Sequence, residues 1–190
     1  MQEKIQDKKA ALLQATLELI SEQGFHGTPM SQIAQKANIG VGTIYRYFPS
    51  KEDLINGLYI QVKSRLAQFV FKNYSENMPV RKSFIMLLRT IIDYFIENPM
   101  EFLFMEQYAN SPLITVATRQ EGLRMFEPAN KLFIRAKEET LLKDLPMEMI
   151  NTLAFGATKA LANLYIFSEV KPDSATLEEG VEAIWDAIKR

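Results

Sequence analysis

Apolar residues recur along this chain at steps of three and four, and the spacing predicts helices nearly from end to end. From about Asp7 to Gln23, Ala11, Leu12, Ala15, Thr16, Leu19 and Ile20 share one stripe, and Gly24 stands where that helix ends. Glycine suits this position because it enters the left-handed turn without strain. Thr28-Pro29 reads as an N-cap followed by proline at the first helical position. The short helix expected next, about Pro29 to Ala37, turns Ile33, Ala34 and Ala37 inward. Asn38-Ile39-Gly40 predicts a tight turn, and Val41 to Phe48 a third short helix. Ser50, with Asp53 three residues on, predicts a capping box opening a long helix that reaches roughly Asn73. There is no convincing alternation of period two, no internal repeat and no low-complexity tract.

The segment "SENMP", Ser75 to Pro79, breaks the pattern and marks a domain boundary. Beyond it the periodicity predicts helices at about Val80–Glu97, Pro99–Tyr108, Thr115–Leu142, Met147–Ser168 and Ala175–Lys189. Asn98-Pro99, Ser111-Pro112, Leu145-Pro146 and Lys171-Pro172-Asp173 separate them, and Pro128 is expected to kink or split the Thr115–Leu142 segment. The fold class is all-α. Residues 1–50 form a three-helix head, a fourth helix over about 50–73 connects, and residues 75–190 form a larger helical domain.

The run "GVGTIYRYFPSK", Gly40 to Lys51, gives the head a chemistry. At 100° per residue, Ile44 and Phe48 fall on one side of a helix starting at Val41. Arg46 points the opposite way, with Gly42 beside it, Thr43 and Tyr47 flanking, and Val41 and Tyr45 between the faces. One side anchors to two partner helices; the other offers a small, polar and cationic surface. That is the form of a helix-turn-helix recognition element. Gly42 permits close approach of backbone to DNA, Arg46 and Tyr47 can donate to phosphates, and Val41 or Tyr45 can touch base edges. Thr28, Ser31 and Thr43 join the candidate contact set, and Lys51 at the next helix start adds a cation. Two helices and a turn also occur in plain helical proteins, where Tyr45 and Phe48 would simply be core.

Composition narrows the remaining classes. The chain has 190 residues, no cysteine and a net charge of −1. Disulfides, thiolate zinc sites and cysteine nucleophiles are excluded, which fits a reducing cytoplasm. No apolar run approaches the ~20 residues of a membrane span, and "MQEKIQDKKAALLQ" is too charged for a signal peptide. Residues 1–75 carry nine Lys/Arg against six Asp/Glu, and residues 76–190 carry thirteen against seventeen. A basic front and an acidic back point weakly to a DNA-facing head. One histidine, His26, no Glu-x-x-His pair and no Gly-rich phosphate loop after a strand leave enzyme chemistry without residues. No cofactor or metal is expected.

The segment "MSQIAQKANIGVGTIYRYFPSKEDLINGLY", Met30 to Tyr59, resembles the DNA-binding signature of the TetR/AcrR family of bacterial repressors. Ile33, Ala34, Ala37, Gly42, Thr43, Ile44, Tyr45, Tyr47, Phe48, Ser50, Lys51 and Leu54 meet that pattern, and "AALLQATLELISEQGFHGTPM" fits the family's first helix. Two positions depart: Asn38 stands where the family more often has Gly, and Gly40 where a polar residue is common. The resemblance implies a cytoplasmic repressor that binds duplex DNA at a palindromic operator as a homodimer. It also implies a C-terminal domain that dimerises through its last two helices and takes a small-molecule effector.

The residues of that domain bear on both expectations. Ala154, Ala157, Ala160, Leu161 and Leu164 on the penultimate helix, with Val181, Ile184, Trp185 and Ile188 on the last, are the expected dimer interface; an intramolecular core stripe is the alternative. Tyr59, Tyr94, Phe95, Phe102, Met105, Tyr108, Met125 and Phe155 are the expected walls of a pocket for a hydrophobic or aromatic effector. Phe and Met at helical spacing are equally what a core requires. Tyr59 lies on the connecting helix, so a ligand against it could shift that helix and mis-space the two heads.

Overall fold

The computed structural model describes residues 2–169 and 173–190, and among these it contains ten helices and no strand. They are α1 (Gln2–Gln23), α2 (Met30–Lys36), α3 (Val41–Tyr47), α4 (Lys51–Phe71), α5 (Val80–Glu97), α6 (Pro99–Tyr108), α7 (Val116–Arg124), α8 (Glu127–Glu138), α9 (Met147–Phe167) and α10 (Ser174–Ile188). An all-α chain with an N-terminal helix-turn-helix and a larger helical part is therefore observed. No helix among the described residues is long and apolar enough to cross a membrane.

Several boundaries differ from the sequence expectation, each for a local reason. α2 begins at Met30 with Pro29 in the capping position, and no side chain caps it. Thr28 is instead fully buried, its hydroxyl donating to the Gly24 and Leu19 carbonyls at 2.9 and 3.3 Å. The long Thr115–Leu142 segment is two helices, and Pro128 sits in the first turn of α8, where its missing N–H costs nothing. Asn38 has φ of +53°, in the left-handed region that favours glycine and that asparagine tolerates, whereas Gly40, at φ −63°, needs no glycine. Gly24 has φ of +72°, as a helix stop demands. At α4 the capping box forms in full: Asp53 N–H donates to Ser50 Oγ, and Ser50 N–H donates to Asp53 Oδ2, both at 3.0 Å. Of the expected break before α10, Lys171-Pro172 lies outside the described residues, while Asp173 caps α10 through the Thr176 N–H.

The packing divides the chain into two compact units. The first holds residues up to Ser64 together with Met100–Arg124, so α6 and α7 belong with the amino-terminal helices. Its core joins Leu12, Leu19, Ile20, Ile33, Ile44, Phe48, Leu54 and Leu58 to Phe104, Tyr108 and Ile114. The second holds Arg65–Pro99 and Met125–Arg190. There α5 packs on α8, α9 and α10, with Phe84 against Phe133 at 4.5 Å and Trp185 at 5.2 Å between ring centroids. Burying side chains of this size is the main stabilising term, about 1.5–3 kcal/mol for each one fully removed from water.

Candidate nucleic-acid interface

α3 is seven residues long, too short to persist alone, and exists because one face is anchored. Ile44 is fully buried and Phe48, just past the helix, is 5% exposed. The Phe48 ring packs so closely on α4 that a Cβ at Gly57 would stand 2.6 Å from it. α2 is held to α1 by its buried Ile33 and Ala34 and by a Lys36–Glu18 ion pair at 2.9 Å. The Gln14 amide, at 3.0 Å, and Lys36 hold the Glu18 carboxyl below its ordinary pKa.

The opposite face of α3 is open. Gly42 and Arg46 are exposed, Val41 is 40% exposed and Tyr45 49%. A Cβ at Gly42 would meet nothing within 4 Å, so its small size answers no internal need. Thr43 is half-buried, and the Arg46 guanidinium lies 5.7 Å from the Tyr47 ring centroid. Tyr47 is half-buried, and its hydroxyl oxygen is buried without a hydrogen-bond partner. Ser31 is exposed in the first turn of α2.

Two expected contacts are committed elsewhere. Thr28, as above, is internal. Lys51 is half-buried: its ammonium donates to the Phe25 carbonyl and sits 4.2 Å over the Phe25 ring, and burial lowers its pKa from the ordinary value.

The expected effector residues are divided between the two units. Tyr59, Phe102, Met105 and Tyr108 belong to the first unit; Tyr94, Phe95, Met125 and Phe155 belong to the second. Most make core contacts: the Tyr108 hydroxyl accepts the Phe25 N–H at 3.0 Å, Tyr94 lies 5.3 Å from Phe69, and Phe155 lies 5.5 Å from Phe133. The second unit does hold a cavity of about 500 Å³ between α5 and α10. It is lined by Arg81, Arg89, Glu178 and Glu182 around Ile85 and Met86, among others, and by none of the eight expected residues.

The expected dimer stripe is also corrected. Val181, Ile184, Trp185, Ile188 and Ala154 are buried within the second unit, Trp185 against Phe84, so they are core. The intramolecular alternative holds because α10 must cover α5 and α9. What stays open is the other side of α9: Met149, Leu153, Gly156, Ala160, Leu164 and Phe167, spaced by three and four. Leu164 and Ala160 were expected there; Met149, Leu153, Gly156 and Phe167 were not. Their signal was a second apolar stripe on α9, visible in the spacing once Ile150, Ala154, Thr158, Ala162 and Tyr165 are assigned to the core.

Comparison with known proteins agrees with this geometry. Residues 12–58 match the family described as bacterial regulatory proteins, tetR family, and residues 79–189 match the tetracyclin repressor-like C-terminal domain. An uncharacterized HTH-type transcriptional regulator of Haemophilus influenzae is 26% identical over 188 residues, covering 97% of each chain. The structure of a TetR family protein from Vibrio parahaemolyticus is 30% identical, covers 96% of this chain and 99% of that one, and superposes with a TM-score of 0.80. A TetR family transcription regulator from Marinobacter aquaeolei shares the fold with a TM-score of 0.92 at 21% identity, covering 100% and 99% of the two chains.

Proposed function

This chain belongs to the tetR family of bacterial regulatory proteins and is a DNA-binding transcriptional regulator, and from that premise we propose that it is a dimeric repressor released from a palindromic operator when a hydrophobic small molecule binds its larger helical part. The observation that carries the reading is the outward face of α3, where Val41, Gly42, Tyr45 and Arg46 are open to solvent on a helix whose other side is locked into the core. Gly42 lets the helix backbone approach a phosphate. Val41 and Tyr45 meet base edges, and Arg46 neutralises a phosphate. Ser31 and Thr43 add neutral donors.

Residues 1–50 are the DNA-binding head, α4 is the connection, and 75–190 hold the effector and dimer functions. Two copies pair through the exposed stripe of α9, supported by its row of apolar residues open to water. A two-fold dimer then offers two α3 helices to half-sites one helical turn apart, or a multiple of it. The effector works by preferring the conformation whose heads no longer fit that spacing, which requires a differential affinity of about 1–3 kcal/mol. α4 carries Tyr59 and runs from the first unit into the second, which suits it to transmit the shift. The protein acts in the cytoplasm, where its DNA lies, and performs no reaction on its effector.

Fluorescence anisotropy with labelled duplex DNA flanking the protein's own gene tests both halves. Binding is expected to weaken linearly with log salt concentration. A panel of hydrophobic compounds is expected to contain members that weaken it further. No binding even in dilute salt would remove the DNA reading, and a panel with no effect would remove the release mechanism while leaving DNA binding intact.

A further inference from the structure

Phe25, in the turn between α1 and α2, is gripped from two other helices at once. Its backbone N–H donates to the hydroxyl of Tyr108, the last residue of α6, at 3.0 Å across 83 positions of sequence. Its carbonyl accepts from the Lys51 ammonium at the first residue of α4, and its ring lies 4.2 Å beneath that ammonium. The flanking residues are fixed as firmly: Gly24 holds φ of +72°, and the Thr28 hydroxyl closes on the Gly24 and Leu19 carbonyls. Within the turn the Gly24 N–H donates to the Ile20 carbonyl at 2.9 Å and the Thr28 N–H to the Phe25 carbonyl at 3.4 Å, and the Tyr108 and Lys51 side chains tie that turn to α6 and α4. Whatever sets this turn sets where α2 begins, and α3 packs on α2. Phe25, Tyr108, Lys51, α2 and α3 all belong to the first unit.

We propose that Tyr108 and Lys51 are positioning residues for operator binding: through the two backbone groups of Phe25 they fix the entry of α2 and hence the angle at which α3 meets DNA, while neither touches a phosphate. The inference rests on α3 being the groove-entering helix. It assigns to Tyr108 a role other than pocket wall, and to Lys51 a role other than phosphate contact.

The test uses the full chain, its Tyr108→Phe and Lys51→Met variants, and a duplex selected from a random pool by the wild-type protein. Tyr108→Phe keeps the ring in the core and deletes only the acceptor. Lys51→Met keeps an apolar stem over the Phe25 ring and deletes only the ammonium. Each variant is expected to lower affinity for the selected duplex by about tenfold. The slope of log affinity against log salt is expected to stay at its wild-type value, since no phosphate contact is lost. In Tyr108→Phe the Phe25 amide is expected to lose protection from hydrogen exchange. Wild-type affinity in both variants, with the Phe25 amide deprotected, would reduce the contacts to fold maintenance and overturn the proposal. A slope shallower by about one in Lys51→Met would make Lys51 a phosphate ligand and overturn its part. Failure of the wild type to select any duplex would remove the DNA reading itself, a different outcome from any variant effect. Should one variant not fold, by circular dichroism, the other decides alone.

Discussion

Arg46 and Lys51 are five residues apart, both cationic, and the structure gives them opposite circumstances. Arg46 is exposed with its guanidinium beside the Tyr47 ring, whereas the Lys51 ammonium is bound to the Phe25 carbonyl. Replacing Arg46 by Ala is therefore expected to lower DNA affinity by about 1–3 kcal/mol and to flatten the salt slope by about one, with the melting temperature unchanged within error. A fall in melting temperature would mean that the side chain serves the fold. Lys63 on α4 makes the opposite case, a cation placed where water is scarce. Its Cγ lies 3.3 Å from where a Cβ of Gly122 would stand, and burial lowers its pKa from 10.5 to about 8. The folded state thus sheds this proton before the unfolded chain does. The penalty for carrying the charge is complete below about 8, and stability is expected to rise as pH climbs from about 8 toward 10.5. Lys63→Met is expected to lose that rise; denaturant melts across the window read it, and parallel profiles would refute the desolvation.

The amino-terminal helices hold their place by end chemistry and by single close contacts. α4 starts at a reciprocal Ser50–Asp53 box, where Ser50→Ala is expected to lower unfolding free energy by about 1 kcal/mol in a denaturant melt. Gly57, one turn further along, is a stricter constraint. A Cβ there would stand 2.6 Å from the buried Phe48 ring that anchors the end of α3. Alanine would add helix propensity of about 1 kcal/mol, yet the displaced ring is expected to turn the balance to a net loss of about 1–3 kcal/mol. The same logic explains the turn between α2 and α3. Asn38 occupies the left-handed conformation and Gly40 does not, so the position that departs from the family's glycine is the one where asparagine can stand in for it.

At the scale of the whole molecule, the two apolar stripes of the last helices differ in exposure: the one with Trp185 is buried in the second unit, and the one with Leu164 is open to solvent. Trp185→Ala removes a ring packed on Phe84 in the second unit and is expected to cost about 3–5 kcal/mol, seen in the melting temperature. Leu164→Asp changes a residue that is 45% exposed and is expected to leave the melt of the protomer intact while shifting the dimer to monomer in sedimentation. A Leu164→Asp protein that stays dimeric would place the interface elsewhere. The sequence by itself determined the helical class, the three-helix head, the capping box at Ser50 and the two faces of α3. These depend on spacing, turn residues and contacts within about sixty positions, where periodicity reports burial directly. Only the tertiary structure decided that Thr28 and Lys51 turn inward, that Phe104, Tyr108 and Ile114 complete the amino-terminal core, and that Trp185 faces Phe84 rather than a second copy. An amphipathic helix announces that it has an apolar face; which of several distant helices covers that face is set by the closing of the chain, through contacts such as Tyr108 to Phe25, that no local pattern encodes.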